Sequence, residues 1–499
     1  MKKYISFFTV ILCFSGIQAQ EVSDALRYSL DNINGTARFR AMSGAFGALG
    51  GDLSAINVNP AGSAIFANNQ VAVSLNNYSI KNNSNYFGTH TSENSNSFDL
   101  NQAGAVFIFQ NNEAKTWKKI SLAVNYENAG NFENSLFSAG TNPLNSGTQY
   151  FLSYANGIPT SDLDYYYYDE LGFGDQQAHL AYWTYLIDPE TTDADNDTYV
   201  SNISATGNYY QENEVISTGY NGKLSFNAAA QYNDVLYLGV NLNSHFTDYR
   251  KSTSFYEDYI GATDADPTQN VQAFRFSNDV YTYGNGFSFQ LGAIAKLSKE
   301  IRLGLAYESP TWMTLNDELT QSLVVDCPDC PPLDPDRNGT PNITNVYEPY
   351  KISTPSKWTG SFAVVFGKSG LLSIDYSTKD YAATEFRPHN DFRNVNDKMA
   401  SDLKRAGELR IGAEHKIKQW SLRAGYRFEQ SPYENKELMG DLTGYSGGIG
   451  YNFGSAKLDF AYSTAKRMYG ESFFNQGMVD RAKIDSKNNN VTVTLAFEL

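Results

Sequence analysis

The feature that most constrains this chain is a period of two, repeated in segment after segment, together with the lengths of the connections between segments. Ile120, Leu122, Val124 and Tyr126 alternate with Lys119, Ser121, Ala123 and Asn125. Trp420, Leu422, Ala424, Tyr426 and Phe428 likewise oppose Ser421, Arg423, Arg427 and Glu429. Such alternation sends the two sets to opposite faces of a sheet. Fourteen strand candidates can be read, near 70–80, 101–110, 117–128, 214–232, 235–257, 271–297, 300–314, 346–366, 371–384, 403–416, 419–430, 442–453, 456–468 and 489–499. Short connections (111–116, 233–234, 298–299, 367–370, 417–418, 454–455) alternate strictly with long ones (81–100, 129–213, 258–270, 315–345, 385–402, 431–441, 469–488). A sandwich has no reason for that regularity, whereas a barrel crossing a membrane does, with tight turns on one side and long loops on the other. Closure also satisfies every backbone group in lipid. The expected fold is all-β, a 14-stranded antiparallel transmembrane β-barrel with both ends on the short-turn side.

Composition supports this reading once the period is known. A mean hydropathy of −0.43 is what a wall with every second residue polar gives. Tyr 35 and Phe 31 are high counts, and 14% aromatic suits rings packed at two membrane interfaces. A formal charge of −16 excludes nucleic acid as a partner, because phosphate binding needs a basic face. Residues 1–19 read as a secretory signal peptide: Lys2 and Lys3, an apolar run from Tyr4 to Ile17, and Ala19 as the small residue for cleavage. Leu12 stands where a lipoprotein cysteine at Cys13 would need a small neighbour. In an exported chain, Cys327 and Cys330 suit a small disulfide loop better than a four-ligand metal site.

One segment breaks the period. Arg38 to Gly62 (RFRAMSGAFGALGGDLSAINVNPAG) is too rich in glycine for a helix and too irregular for a strand, yet apolar enough to be buried. Pro60 fixes an extended Asn59, and the glycines permit close approach to a wall. The expected organisation is a signal peptide (1–19), an N-terminal hatch or plug inside the lumen (20–68) and the barrel (69–499), whose largest extracellular loop is 129–213. Arg38 and Arg40 are candidates to latch the hatch on Glu408, Glu429 or Asp375, or simply to be solvated at the barrel mouth.

Gly44, Gly47, Gly50, Gly51, Asp52 and Ala55, followed by Asn59, Pro60, Ala61 and Gly62, resemble the Asn-Pro-Ala signature of the FadL/TodX family of outer-membrane transporters. The wording GTARFRAMSGAFGALGGD is similar to the branch found in Bacteroidetes-type bacteria. Weaker support comes from Thr354–Trp358, from Arg410-Ile411-Gly412 and from Gly425-Tyr426 with Ser431-Pro432. The outer loops are longer than the family minimum. The resemblance implies a Gram-negative outer-membrane protein that takes up long-chain fatty acids or similar lipophiles passively through a hatch-gated lumen, and a monomer is expected. Release is expected toward the periplasm or sideways into the membrane. Outer-membrane lipid, lipopolysaccharide and a hydrophobic small molecule are the implied partners. A second reading is a barrel of the same build serving as a binding or assembly accessory of a secretion system.

The hatch motif residues are Gly50, Gly51, Asp52, Asn59, Pro60, Ala61 and Gly62. Phe46, Leu49 and Phe66 are candidates for an apolar ligand pocket, and Arg423 or Arg427 for a cationic contact to a ligand carboxylate. Gly444-Tyr445-Ser446-Gly447-Gly448 fits a hydrolase nucleophile pattern but lacks its strand–turn–helix setting. It reads better as a glycine-lined wall met by another backbone, so no enzyme is expected. His90, His179, His245, His389 and His415 have no ligand spacing. Asp334, Asp336 and Asn338 suit a structural calcium or a solvated acidic loop, with Asn345 where an EF-hand needs its glutamate. No other cofactor is expected. Residues 175–187, with Leu180, Trp183 and Ile187 on one side, read as a short amphipathic helix beside Tyr165–Tyr168. Together they form either an apolar collecting surface or a loop packed on itself.

Overall fold

The computed structural model describes residues 20–111, 116–203, 207–259 and 271–499. The signal segment and most of the 111–116 and 258–270 connections therefore lie outside the described residues. Strands β1 (Gln70–Tyr86), β2 (Thr89–Gln110), β3 (Trp117–Asn131, resumed over Asn134–Asn142), β4 (Tyr209–Tyr232) and β5 (Leu236–Tyr259) open the wall. It continues through β6 (Ala273–Lys296), β7 (Ile301–Glu308, resumed over Trp312–Asp326), β8 (Tyr350–Ser353 and Lys357–Phe366) and β9 (Gly370–Asp380, with Glu385–Arg387). Strands β10 (Arg405–Ile417), β11 (Trp420–Glu429), β12 (Leu442–Asn452), β13 (Ala456–Ser472) and β14 (Arg481–Glu498) complete it. Each strand pairs antiparallel with the next, and β14 returns to β1 with Gln70 opposite Glu498 and Asn85 opposite Lys483. The result is a closed 14-stranded barrel.

The period of two has the expected consequence. On β11, Leu422 is exposed while Arg423 and Arg427 are buried in the lumen. The outward apolar band is bounded by two rings of aromatics. Trp117 meets Tyr232, and Trp420 meets Tyr451, near the short turns. Tyr126 meets Phe246, and Tyr307 meets Trp358, at the other rim. At ~3.3 Å per residue and a tilt of ~40°, the strand from Trp117 to Tyr126 rises roughly 23 Å, close to the ~25 Å apolar height of an outer-membrane wall.

Two long loops turn out not to be loops. Residues 81–100 continue β1 and β2 to a two-residue turn at Phe87–Gly88, both with positive φ (45° and 87°). Residues 469–488 likewise fall largely within β13 and β14. These strand ends rise past the apolar band and are polar at most positions, with Tyr86, Ala482 and Ile484 buried on the inner face, so they carry little hydrophobic period to read.

Inside the ring, helix α1 (Val22–Ser29) lies toward the long-loop end and α2 (Ala37–Ala41) deeper. The large connection after β3 folds over the mouth as a cap of α3 (Thr148–Ala155), α4 (Thr160–Tyr165) and α5 (Phe173–Trp183) with its own apolar core. Ile187 is buried in that core but stands in a short strand after α5, which ends at Trp183. Cys327 and Cys330 form a disulfide in the loop after β7. Helix α6 (Arg393–Asp402) follows β9.

Because the two faces of β11 meet different media, their tolerances should differ sharply. Leu422→Arg is expected to cost about 2–4 kcal/mol in urea unfolding from lipid vesicles, the depth-dependent penalty of a cation in the apolar band. A neutral loss below ~0.5 kcal/mol would mean that this face does not contact lipid.

Candidate functional site in the barrel lumen

Residues 20–68 occupy the lumen, and their folding follows from local chemistry. Thr36 caps α2 by accepting the Phe39 amide, and its hydroxyl donates to both Asp52 carboxylate oxygens at 2.8 Å. The Ser54 amide also donates to Asp52. Gly50 has φ of +61°, and a Cβ there would sit 2.7 Å from the Gly62 Cα. The amide of Gly51 donates to the Gly62 carbonyl at 3.1 Å, closing the motif on itself. Asn59 is extended (φ −142°), accepts the Ala61 amide, and donates to the Gly47 carbonyl at 2.7 Å and to the Ala293 carbonyl of the wall at 3.0 Å. The Asn-Pro-Ala-Gly turn thus ties the two halves of the segment to each other and to β6.

The wall is shaped to receive this backbone. A Cβ at Gly239 or Gly292 would collide with Pro60 or Asn59, and one at Gly425 with Met42 and Ser43. A Cβ at Gly448 would meet the Ala41 side chain at 2.6 Å, so the glycine-rich stretch of β12 is a wall met by the lumen segment. Ser446 hydrogen-bonds Ser43 and the Ala41 carbonyl, not a histidine.

Phe46 and Phe66, two of the ligand-contact candidates, are buried. Phe46 packs with Phe39, Met42 and Leu49, and Phe66 with Leu53, Ile56 and Val106. Each buried side chain of this size stabilises by ~1.5–3 kcal/mol, so they anchor the segment and present no free face. Leu49 belongs to the same core but also borders a cavity of about 370 Å³ on the short-turn side.

Arg423 and Arg427 do face the lumen, but their charges are already matched. Arg423 pairs with Glu414 at 2.7 Å and with Asp459 at 2.5 Å. Arg427 pairs with Glu408 and Glu429, both at 2.6 Å. The latch also differs from expectation. Arg38 pairs with Glu414 at 2.9 Å and stacks over Phe46, while Asp375 accepts the Gly47 amide. Arg40 reaches no carboxylate; its donors go to Asn34 and Ser463. A second tie was not foreseen: Asp31 bridges Lys379 at 2.7 Å and Lys357 at 3.1 Å. One signal was available for Glu414. The tight β10–β11 turn sets Ile417 opposite Trp420, which places Glu414 opposite Arg423.

Nearer the mouth, α1 borders a cavity of about 180 Å³ lined by Tyr150, Phe276, Phe473 and Phe474 together with the charged residues Arg27, Lys251, Glu21, Asp24, Asp317 and Glu318. In the cap, Tyr165, Tyr166 and Tyr167 are exposed, and Arg337 lies over Tyr167 and Trp183. Asp334 is turned on its own loop by accepting the Asp336 amide, and the Asn338 side chain spans the Pro335 carbonyl and the Thr340 amide. No group of three or more potential metal ligands occurs among the described residues.

These features define a class: an outer-membrane-type β-barrel of fourteen strands with a compact segment in its lumen. No family profile matches the chain, and no curated protein matches it in sequence. Solved structures do match in fold. A Pseudomonas aeruginosa FadL homologue aligns with a TM-score of 0.52 and 14% identity, covering 94% of this chain and 99% of that one. The toluene transporter TodX of P. putida aligns at 0.51 and 14%, with the same coverage. The fold is that of the FadL/TodX transporters.

Removing the shared carboxylate should loosen the segment. Glu414→Gln leaves Arg38 without a carboxylate and Arg423 with Asp459 alone, and breaking a buried pair costs about 3–5 kcal/mol. The expected readout is intermittent opening in planar bilayers, where the native barrel stays closed. A fully quiet Glu414→Gln channel would remove the latch role from this pair.

The cap carries a separate acid sensitivity. His179 is buried on α5 between Tyr168 and Trp183, and burial, helped by Arg337, pushes its pKa down to about 4. The folded cap therefore holds neutral histidine while an opened cap protonates near 6.5. Cap stability is constant above pH ~6.5 and falls as pH drops toward 4. Limited proteolysis of the cap should accelerate over that window in the native protein and lose this dependence in His179→Gln.

Proposed function

We propose that this protein is an outer-membrane channel for passive uptake of hydrophobic small molecules, long-chain fatty acids or similar lipophiles, with residues 20–68 as its gate. One observation carries the reading. The lumen is filled by a segment that forms no strand ladder with the wall among the described residues, so it can shift without opening the barrel itself. The wall glycines that receive it, Gly239, Gly292 and Gly425, fit one resting position closely. The neighbours in fold, a toluene transporter and a FadL homologue, support the same class of cargo.

The route we infer starts at the exposed tyrosines of the cap and continues to the aromatic cavity beside α1. Each CH₂ buried there contributes about 0.8 kcal/mol, enough to hold a chain without any chemistry. A sideways exit at the outer rim of the apolar band is favoured by the β2–β3 seam. Its ladder runs from Gln110–Lys119 only to Gln102–Glu127, and beyond it β3 pairs with β4 alone. Above the last rung the seam is held by side chains, with Asn131 donating to Asp99 at 2.5 Å. Phe98 and Leu100 are exposed beside it.

Two measurements test this. Uptake of a radiolabelled long-chain fatty acid or of toluene should rise several-fold in cells carrying the protein. An Asp99→Cys/Asn131→Cys disulfide should abolish that gain reversibly. Deleting residues 20–68 should convert a closed barrel into an open conductor in bilayers. Unchanged conductance on deletion, or no gain in uptake, sinks the proposal.

A further inference from the structure

One lumen cavity is built unlike the others. About 180 Å³ in volume, it lies between residues 32–43 of the lumen segment and the inner faces of β1, β12, β13 and β14. Its lining holds Arg40, Arg427 and Arg467 with hydroxyls and amides such as Ser43, Tyr78 and Asn490, and no carboxylate. Arg40 is 4% exposed, yet its partners are neutral: Asn34 Oδ1 at 2.8 Å and Ser463 Oγ at 3.2 Å. Its Nε, like that of Arg467, is buried with no hydrogen-bond partner.

The direct ion pairs leave Arg40 out. Glu408 and Glu429 are the carboxylates in direct contact with Arg410, Arg427 and Arg467, so three guanidiniums share two directly bonded acids, while Asp31, Asp375 and Glu127 act on the group without a direct pair. Arg40 adds a further cation. This excess stands in a chain with 54 Asp and Glu against 38 Lys and Arg, so it does not reflect a shortage of acid. An uncompensated buried charge costs several kcal/mol, and hydrogen bonds to neutral acceptors offset only part of that. A planar guanidinium that lines a cavity and has only neutral partners is suited to an oxyanion.

We propose that this cavity is an oxyanion site, with Arg40 as its principal contact and Arg467 as its second. The ligand group is a carboxylate or a phosphate, supplied either by the head of an amphiphilic molecule or by a free ion. Arg40 belongs to the lumen segment and Arg467 to the wall, so a bound anion bridges the two and holds the gate shut. As a head-group site the proposal rests on the uptake reading above; as an ion site it does not.

The test uses the full barrel in a zwitterionic detergent, with thermal unfolding followed at constant ionic strength in chloride. Sodium phosphate and sodium octanoate are titrated separately, with octanol as the uncharged control. At least one of the two anions should raise the melting temperature saturably, and octanol should not reproduce that effect. Arg40→Gln should weaken the apparent affinity about tenfold or more, with Arg40→Lys intermediate. Heat-modifiable gel mobility confirms that each variant is folded. If Arg40→Gln misfolds, Arg467→Gln takes its place, because Glu429 keeps Arg427 as a partner. Saturation by octanoate alone assigns the site to a head group, and by phosphate alone to a free ion. No saturation by either anion, or equal affinity in the folded variants, overturns the proposal. Uptake is read separately in cells, so failure of one reading leaves the other standing.

Discussion

The rest of the structure depends on the ladder between β1 and β14. A sheet edge in hydrocarbon leaves each unpaired N–H and C=O at a cost of several kcal/mol, so a wall of this kind exists closed or not at all. The closing register, with Gln70 opposite Glu498, joins the first strand to one ending a residue short of the C-terminus. Closure then creates the problem that the N-terminal segment answers. The ring leaves a lumen, and that lumen is filled by residues 20–68 instead of by wall side chains.

What holds the segment can be sorted by magnitude. Phe39, Met42, Phe46, Leu49, Leu53, Ile56 and Phe66 each contribute on the order of 1.5–3 kcal/mol by burial. The ion pairs of Arg38 and Asp31 gain Coulomb energy but lose hydration, and such pairs come close to breaking even. Apolar contact therefore supplies the grip, while the charges fix where the segment sits. On β10 and β11, Arg410 faces Arg427 and Glu408 faces Glu429 directly, an unfavourable register that is relieved by the diagonal Arg427–Glu408 pair.

Much of this was legible in the sequence, and the limits have physical reasons. All fourteen strands announce themselves where one face meets lipid, because only there does hydrophobicity alternate. Residues 81–100 hid as a loop because nearly all of them are polar, with Tyr86 the apolar side chain buried near the turn. Glu414 opposite Arg423 could be counted from the tight turn between β10 and β11. The isolation of Arg40 could not, since it depends on α2 meeting β13, more than four hundred residues away in the chain. Sequence likewise reports that the side chain of Phe46 is apolar, not which contacts fill its surroundings.

The polar extensions of β1 and β2 have a consequence for how the protein meets its surroundings. From Phe98 to the Phe87–Gly88 turn, at ~3.3 Å per residue and ~40° of tilt, the hairpin stands roughly 25 Å above the apolar band. The barrel is a chimney, not a pore flush with the surface. Its mouth and cap therefore lie beyond the apolar band, and a molecule arriving there meets protein before it meets that band.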